Sequence, residues 1–335
     1  MTRRHSAASL FALLLAVSVL ALGCESGLDQ PAKTTPETRT ATALLPTDTK
    51  MMSMVDVQHL REHGPEQLRS KMALPFAEDA SAEAARLQNF LDASGLNPER
   101  DLERIFVAAP RHDQAPHFVA YGTFDPNRME DALRSSFGDD LEPTSYRGVT
   151  LFVAPDEGPH GRQFALAVPN ADLMLASPER AAVESMIDRL RDGSEPSEPT
   201  ALVRTASQGQ SMWFVASDVG ADGTGERTTT TGASSRGSDR MQHLRRVLSD
   251  VAGHFSFTSD GDLDSRMILV PKASASASDV ADVARGVLGA LKQRTDAPEP
   301  FRRAAQTAQV ETVNKEVHVS VTLPAALIDS MAAGR

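Results

Sequence analysis

Hydrophobic and polar positions change period several times along the chain, and each period predicts an element. The sharpest alternation lies near the C-terminal end. Val317, Val319, Val321 and Leu323 fall on one side there, and His318, Ser320 and Thr322 on the other, as in a half-buried strand. Residues 310–313 precede it across Asn314-Lys315, which predicts a hairpin. Residues 102–109 and 117–124 are apolar, β-rich runs separated by a Pro110 to Pro116 break, and 149–154, 164–168 and 173–176 continue the strand series. Further strands are expected at 51–57 and 211–217, and Asp260-Gly261 predicts a hairpin joining 254–258 to 265–270. Helical spacing marks other stretches: Ala84, Leu87, Phe90 and Leu91 before Gly95, and Met129, Leu133 and Phe137 behind the Asp125-Pro126 cap. Ser177-Pro178 opens another helix to Arg191, and Met241, Leu244, Val247, Leu248 and Val251 mark an amphipathic one. Ser278 or Asp279 caps a helix through Leu291, with short helices around 301–308 and after Pro324.

The resulting fold class is α+β: two lobes of antiparallel sheet with helices packed on one face. The order of elements is similar in the two lobes, which raises a duplicated unit. The first lobe spans 46–192, a Pro- and Ser-containing linker 193–210, and the second lobe 211–332. Within the second, 219–238 is rich in Gly, Ser and Thr without period and is expected to be a disordered loop.

The N-terminus changes the picture most. Arg3 and Arg4 precede an apolar run from Leu10 to Leu22, too short for a membrane span of about 20 residues and followed by Gly23-Cys24. Cys24 is the only cysteine in the chain. This arrangement resembles the lipobox of bacterial prolipoproteins, although Ala21 and Leu22 depart from its commonest residues. The resemblance implies that residues 1–23 are a signal peptide and that Cys24 carries the lipid. Residues 24–45 would then be the lipidated end and a flexible tether, since Pro31, Pro36 and scattered polar residues show no apolar period. The membrane partner is thus reached through acyl chains on Cys24, and several chains hold far better than one. Glu25 stands where an Asp favours inner-membrane retention, so the resemblance implies a cell-envelope protein of the outer membrane, facing the periplasm or the surface. The body resembles a loose group of uncharacterised bacterial envelope lipoproteins through Gly122-x-Phe124-Asp125-Pro126 and Tyr146-Arg147-Gly148-Val149. That group has no assigned activity, and the resemblance carries none over.

Composition then excludes classes. The chain has a formal charge of −11, and removing 1–23 takes away two arginines and no acid, leaving −13. Phosphate backbones repel such a chain, so no nucleic acid is expected as a partner. With Cys24 lipidated no thiol remains for a disulfide, and stability must come from a buried core.

One motif carries candidate chemistry. His59-Leu60-Arg61-Glu62-His63 has the H-x-x-E-H form of inverted zinc peptidases, in which two histidines one turn apart hold Zn2+ and the Glu activates water. That resemblance requires a third ligand some seventy residues on, where Asp139, Asp140 and Glu142 lie, and Gly64-Pro65 breaks the helix at once. The bland reading is a solvated short helix. His112, Asp113 and His117 bracket a turn, where polar residues are expected, and could also form a loop metal site. Asp260–Asp264 has the outline of a calcium loop, but Ser265 and Pro271 replace its Gly and Glu. Thr47 and Lys50 lack companion motifs.

The sequence therefore favours a lipid-anchored, non-enzymatic binding or interaction module with no cofactor. Its partner would be an unknown envelope protein or small ligand. The alternatives are a zinc metallopeptidase using His59, His63 and Glu62, with zinc as cofactor, and a carrier of an apolar ligand.

Overall fold

A computed structural model of the chain describes residues 35–46, 48–65, 89–110, 116–137, 141–154, 164–193, 200–207, 211–219, 243–244, 246–293 and 299–332. The expected signal peptide, Cys24, and residues 220–238 of the expected loop lie outside the described residues. The chain divides into two compact units, one of Ala32–Phe214 and one containing Val215–Arg335. Both are α+β with antiparallel strands.

The N-terminal unit contains helix α1 (Pro36–Leu44), strand β1 (Met51–Asp56), helices α2 (Val57–His63) and α3 (Pro98–Asp101), and strands β2 (Leu102–Ala109) and β3 (His117–Gly122). Helix α4 (Pro126–Phe137), strands β4 (Glu142–Tyr146), β5 (Val149–Ala154), β6 (Phe164–Asn170) and β7 (Leu173–Ser177), and helices α5 (Arg180–Arg191) and α6 (Ala201–Ala206) complete it. Strand order is β1-β2-β3-β7-β6-β5-β4. The apolar runs of β3, β6 and β7 make a sheet buried on both faces, as such runs require. On one face Ala120, Phe152 and Leu166 join Phe90 and the Met129, Ala132 and Leu133 stripe of α4. On the other, Phe106, Val119, Leu151, Ala167 and Leu175 are sealed, and α5 packs on β6 and β7 through Val183, Met186 and Ile187. The helical layer expected on one face is therefore joined in this unit by a second.

Two stretches assigned to connectors are helices with buried faces. Residues 36–44 of the expected tether form α1, which buries Thr38, Ala41 and Leu44. Its polar composition hides a helix that Thr35 caps, accepting the Thr38 N–H, with Pro36 in the first turn. Part of the 193–210 linker forms α6, capped by Thr200 and burying Val203 and Ala206. Helix α1 is tied down by charge. Arg104 of β2 donates through Nε to Asp56 Oδ2 at 2.9 Å and lies 3.0 Å from Glu37 of α1, while Arg189 of α5 donates to the Leu44 carbonyl at 2.7 Å. Arg104→Ala leaves the largely buried Asp56 oxygen unpaired and frees Glu37. We expect a loss of about 2–3 kcal/mol in urea unfolding, partly recovered by Arg104→Lys; a loss below about 0.5 kcal/mol, the level of an ordinary surface site, would contradict this role.

Glycine is required at Gly122. A Cβ there would lie 2.1 Å from the Asp101 carbonyl oxygen, which accepts the Thr123 N–H at 2.7 Å. Asp125 then caps α4 by accepting the Asn127 and Arg128 N–H groups. Close backbone approach and a helix cap thus account for Gly122-x-Phe124-Asp125-Pro126. Tyr146-Arg147-Gly148-Val149 is likewise a two-residue hairpin turn, with φ 48 at Arg147 and 76 at Gly148. The predicted Ser177-Pro178 cap is displaced: Ser177 ends β7, Glu179 is the N-cap, and α5 starts at Arg180.

Strand β8 (Met212–Ser217) crosses the division between the units. The C-terminal unit continues with β9 (Leu248–Phe257), β10 (Leu263–Pro271), α7 (Ala277–Gln293), α8 (Glu299–Thr307), β11 (Gln309–Val313), β12 (Glu316–Leu323) and α9 (Ala325–Ala332). Its strand order is β11-β12-β10-β9-β8. The helix expected through Val251 stops before Leu248, where β9 begins; pairing with nine residues of β10 outweighs the helical spacing. Asn314 and Lys315, at φ 49 and 72, make the tight turn between β11 and β12. Helix α7 is capped by Ser276 rather than Ser278 or Asp279. Ser276 Oγ accepts the Asp279 N–H and Asp279 Oδ2 accepts the Ser276 N–H, a capping box.

Connectivity repeats between the units. In each, three strands pair in sequence, one or two helices follow, and the chain returns so that its last strand pairs with the third. The N-terminal unit returns with β4 to β7 beside β3, the C-terminal one with β11 and β12 beside β10, and a helix follows each.

Candidate functional site

The chemistry-bearing motif lies where β1 turns into α2. Asp56 ends the strand and caps the helix, its Oδ1 accepting the His59 N–H at 2.8 Å. Val57 and Leu60 bury one face of α2, and Gly64 ends it by donating to the Leu60 carbonyl at 2.7 Å. Arg61 reaches the Glu99 and Arg100 carbonyls at the end of α3.

His59 and His63, one turn apart, place their ring centroids 4.5 Å from each other at 58°. Glu62 Oε1 accepts from the Gln58 amide at 3.1 Å, and Glu62 Oε2 lies 3.9 Å from His63 Nε2. Burial lowers the His59 pKa below the ordinary histidine value, His63 adds to the lowering, and Asp56 and Glu62 oppose it. His59 Nε2 is sealed and finds no hydrogen-bond partner among the described residues.

The third ligand required of a zinc peptidase is placed elsewhere. Glu142 opens β4, six strands from β1 in the strand order of this unit, roughly 29 Å at the usual spacing of neighbouring strands. Asp139 and Asp140 lie outside the described residues. No group of three or more His, Cys, Asp or Glu side chains able to hold a metal occurs among the described residues. The structure thus brings His59, His63 and Glu62 together and separates Glu142 from them.

A second polar pair carries no motif. His117 Nδ1 lies 2.9 Å from Ser177 Oγ, which also accepts the Glu179 N–H. The two residues are 60 apart in sequence and both are buried, Ser177 completely. Burial lowers the His117 pKa, with Glu179 and Asp48 opposing. A hydroxyl with no exposed surface meets no substrate, so this pair joins β3, β7 and the entry to α5. His112 and Asp113 of the proposed loop metal site lie outside the described residues. In the calcium-like stretch the carboxylates diverge: Asp262 Oδ1 accepts the Ala325 N–H that opens α9, and Asp264 Oδ1 accepts from Thr322 at 2.5 Å.

The C-terminal unit holds a third cluster. His254 of β9, Arg266 of β10 and Ser320 of β12 are register partners in one cross-strand row. His254 Nδ1 is sealed without a partner among the described residues, and burial, with Arg266 and His318 adding to it, pushes its pKa down to about 4. His318 Nε2 is 3.2 Å from Glu316 Oε2.

The fold is similar to that of TP0453. Crystal form I of TP0453 matches with a TM-score of 0.50 at 10% identity, covering 91% of this chain and 99% of that one. Crystal form III matches with a TM-score of 0.51 at 11% identity, covering 87% and 97%. At that identity the likeness to TP0453 concerns the arrangement of elements alone. No protein-family model and no curated protein matches the chain.

Proposed function

We propose that this is a lipid-anchored protein of the bacterial cell envelope, held by acyl chains on Cys24, whose body binds a partner protein or small ligand without catalysing a reaction. The observation that carries the reading is Gly23-Cys24 at the end of the Leu10 to Leu22 run, with no other cysteine in the chain. The placement of α1 supports a close-held body. Helix α1 is fastened by Glu37 and Leu44, so only residues 25–34 separate Cys24 from Thr35, a span of at most about 40 Å. The outer membrane is the proposed site, on Glu25 rather than Asp at that position. The zinc-peptidase reading is not favoured, because Glu142 lies far from His59 and His63 along the sheet.

Cells fed a fatty-acid analogue should label the wild-type protein and leave Cys24→Ser unlabelled and released from washed membranes. Equal labelling of both would refute the anchor. Capture from native membranes through the anchored protein should then recover a partner at constant stoichiometry, which a mere membrane residence would not produce.

A further inference from the structure

The His59–His63 pair has no role in the anchor, and no third ligand for it occurs among the described residues, yet its two rings lie side by side one helical turn apart. We propose that His59 and His63 form an open two-imidazole site for a divalent transition cation, completed by water, that holds Cu2+ best.

The argument starts from the helix. Residues four apart on α2 present both rings to one side, with centroids 4.5 Å apart. The backbone of this turn is fixed at both ends: Asp56 accepts the His59 N–H, and Gly64 donates to the Leu60 carbonyl. A Cβ at position 64 would meet that carbonyl oxygen at 2.4 Å, so this helix end depends on glycine. The ligand pair is therefore held on a rigid turn, which reduces the ordering entropy lost on binding.

The second observation is the orphaned nitrogen. A polar atom shielded from water is almost always hydrogen-bonded, and one that is not calls for an explanation. His59 Nε2 is shielded, lacks a partner among the described residues, and belongs to a ring whose centroid lies 4.5 Å from that of His63. A cation bridging the two imidazoles, admitted by rotation of the 37% exposed His63 side chain, would satisfy it. Imidazole nitrogen suits Cu2+, Ni2+ and Zn2+, and the usual affinity order for divalent first-row ions places Cu2+ highest.

Neighbouring carboxylates define the site further. Both oxygens of Asp56 are committed, one to the His59 N–H and one to Arg104, so Asp56 is not a ligand. Glu62, held by Gln58 and 3.9 Å from His63 Nε2, supplies negative charge at the edge of the pair. Two protein ligands with open positions suit reversible loading rather than a permanent structural ion.

The test uses the full chain in detergent, titrated with Cu2+ alone and followed by calorimetry and electron paramagnetic resonance. We expect one Cu2+ per chain with a two-nitrogen spectrum. His63→Ala should weaken binding about tenfold or more and reduce the spectrum to one nitrogen; His63 is 37% exposed, so this variant keeps the fold. His59→Ala with His63→Ala should abolish the site, whereas His318→Gln should leave it intact. Unchanged binding in His63→Ala, or no saturable uptake by the wild type, would overturn the assignment.

Discussion

Phe106→Ala should cost this protein about 3–5 kcal/mol of unfolding free energy, the largest loss expected from a single substitution here. Phe106 is fully buried on β2, the second strand in the order of the N-terminal unit. Its ring meets Tyr121 edge-on, with centroids 5.8 Å apart and planes at 81°, and Trp213 at 6.2 Å and 66°. Removing it deletes a large apolar contact area and leaves a void between two other rings, whose backbones are held in the sheet and cannot collapse into it. Tyr121 Oη and Trp213 Nε1 are already sealed without partners among the described residues, so the void would expose polar atoms that water can reach only by loosening the sheet. Urea unfolding should show a lower midpoint with an unchanged slope, and Trp213 fluorescence should report it, as the single tryptophan of the chain. A loss under about 1 kcal/mol would mean that the face is far softer than its burial implies.

Acid should destabilise the protein between pH 6.5 and about 4, with His254 as the main histidine responsible. Burial, assisted by Arg266 and His318, holds the folded-state pKa near 4, against 6.5 for an ordinary histidine. The folded state therefore prefers neutral His254. Above pH 6.5 both states are neutral and the contribution is fully present; as pH falls through the window the unfolded chain takes up the proton first, and stability is lost at about 1.4 kcal/mol per pH unit for a full proton of difference. His59 and His117, both lowered chiefly by burial, act in the same direction. Unfolding free energies measured from pH 7.5 to 4 should fall in the wild type and fall less steeply in His254→Gln. Parallel curves for the two proteins would remove His254 as the source.

Both effects rest on paired strands within their own units, and those strands are legible in part. Residues 149–154 read as a strand and are β5, and the alternation of Val317, His318, Val319 and Ser320 is the burial pattern of β12. Asn314-Lys315 and Asp260-Gly261 mark turns because their backbones take positive φ at Asn314, Lys315 and Gly261. Misreadings came where burial, not period, decides. Helix α1 carries three Thr, one Glu and one Arg among its nine residues and only Ala41 and Leu44 as buried apolar side chains, so its composition resembles a tether. Strand β4 is mostly exposed and contains Pro143, which an edge position tolerates, so it has no alternation to read.

For the site, the sequence by itself determined that His59, Glu62 and His63 share one side of a short helix, because their spacing and the Gly64 stop are local properties. It also determined the lone Cys24 behind the apolar run, and an order of elements that repeats between the two units. Only the tertiary structure decided that β7 returns beside β3, that Glu142 therefore lies at the far edge of the strand order from His59, and that His117 meets Ser177 across 60 residues. The physical reason is one of range. Caps, turns and helical faces are set by groups a few residues apart, whereas strand order follows from which apolar faces can be buried together, which no local spacing records.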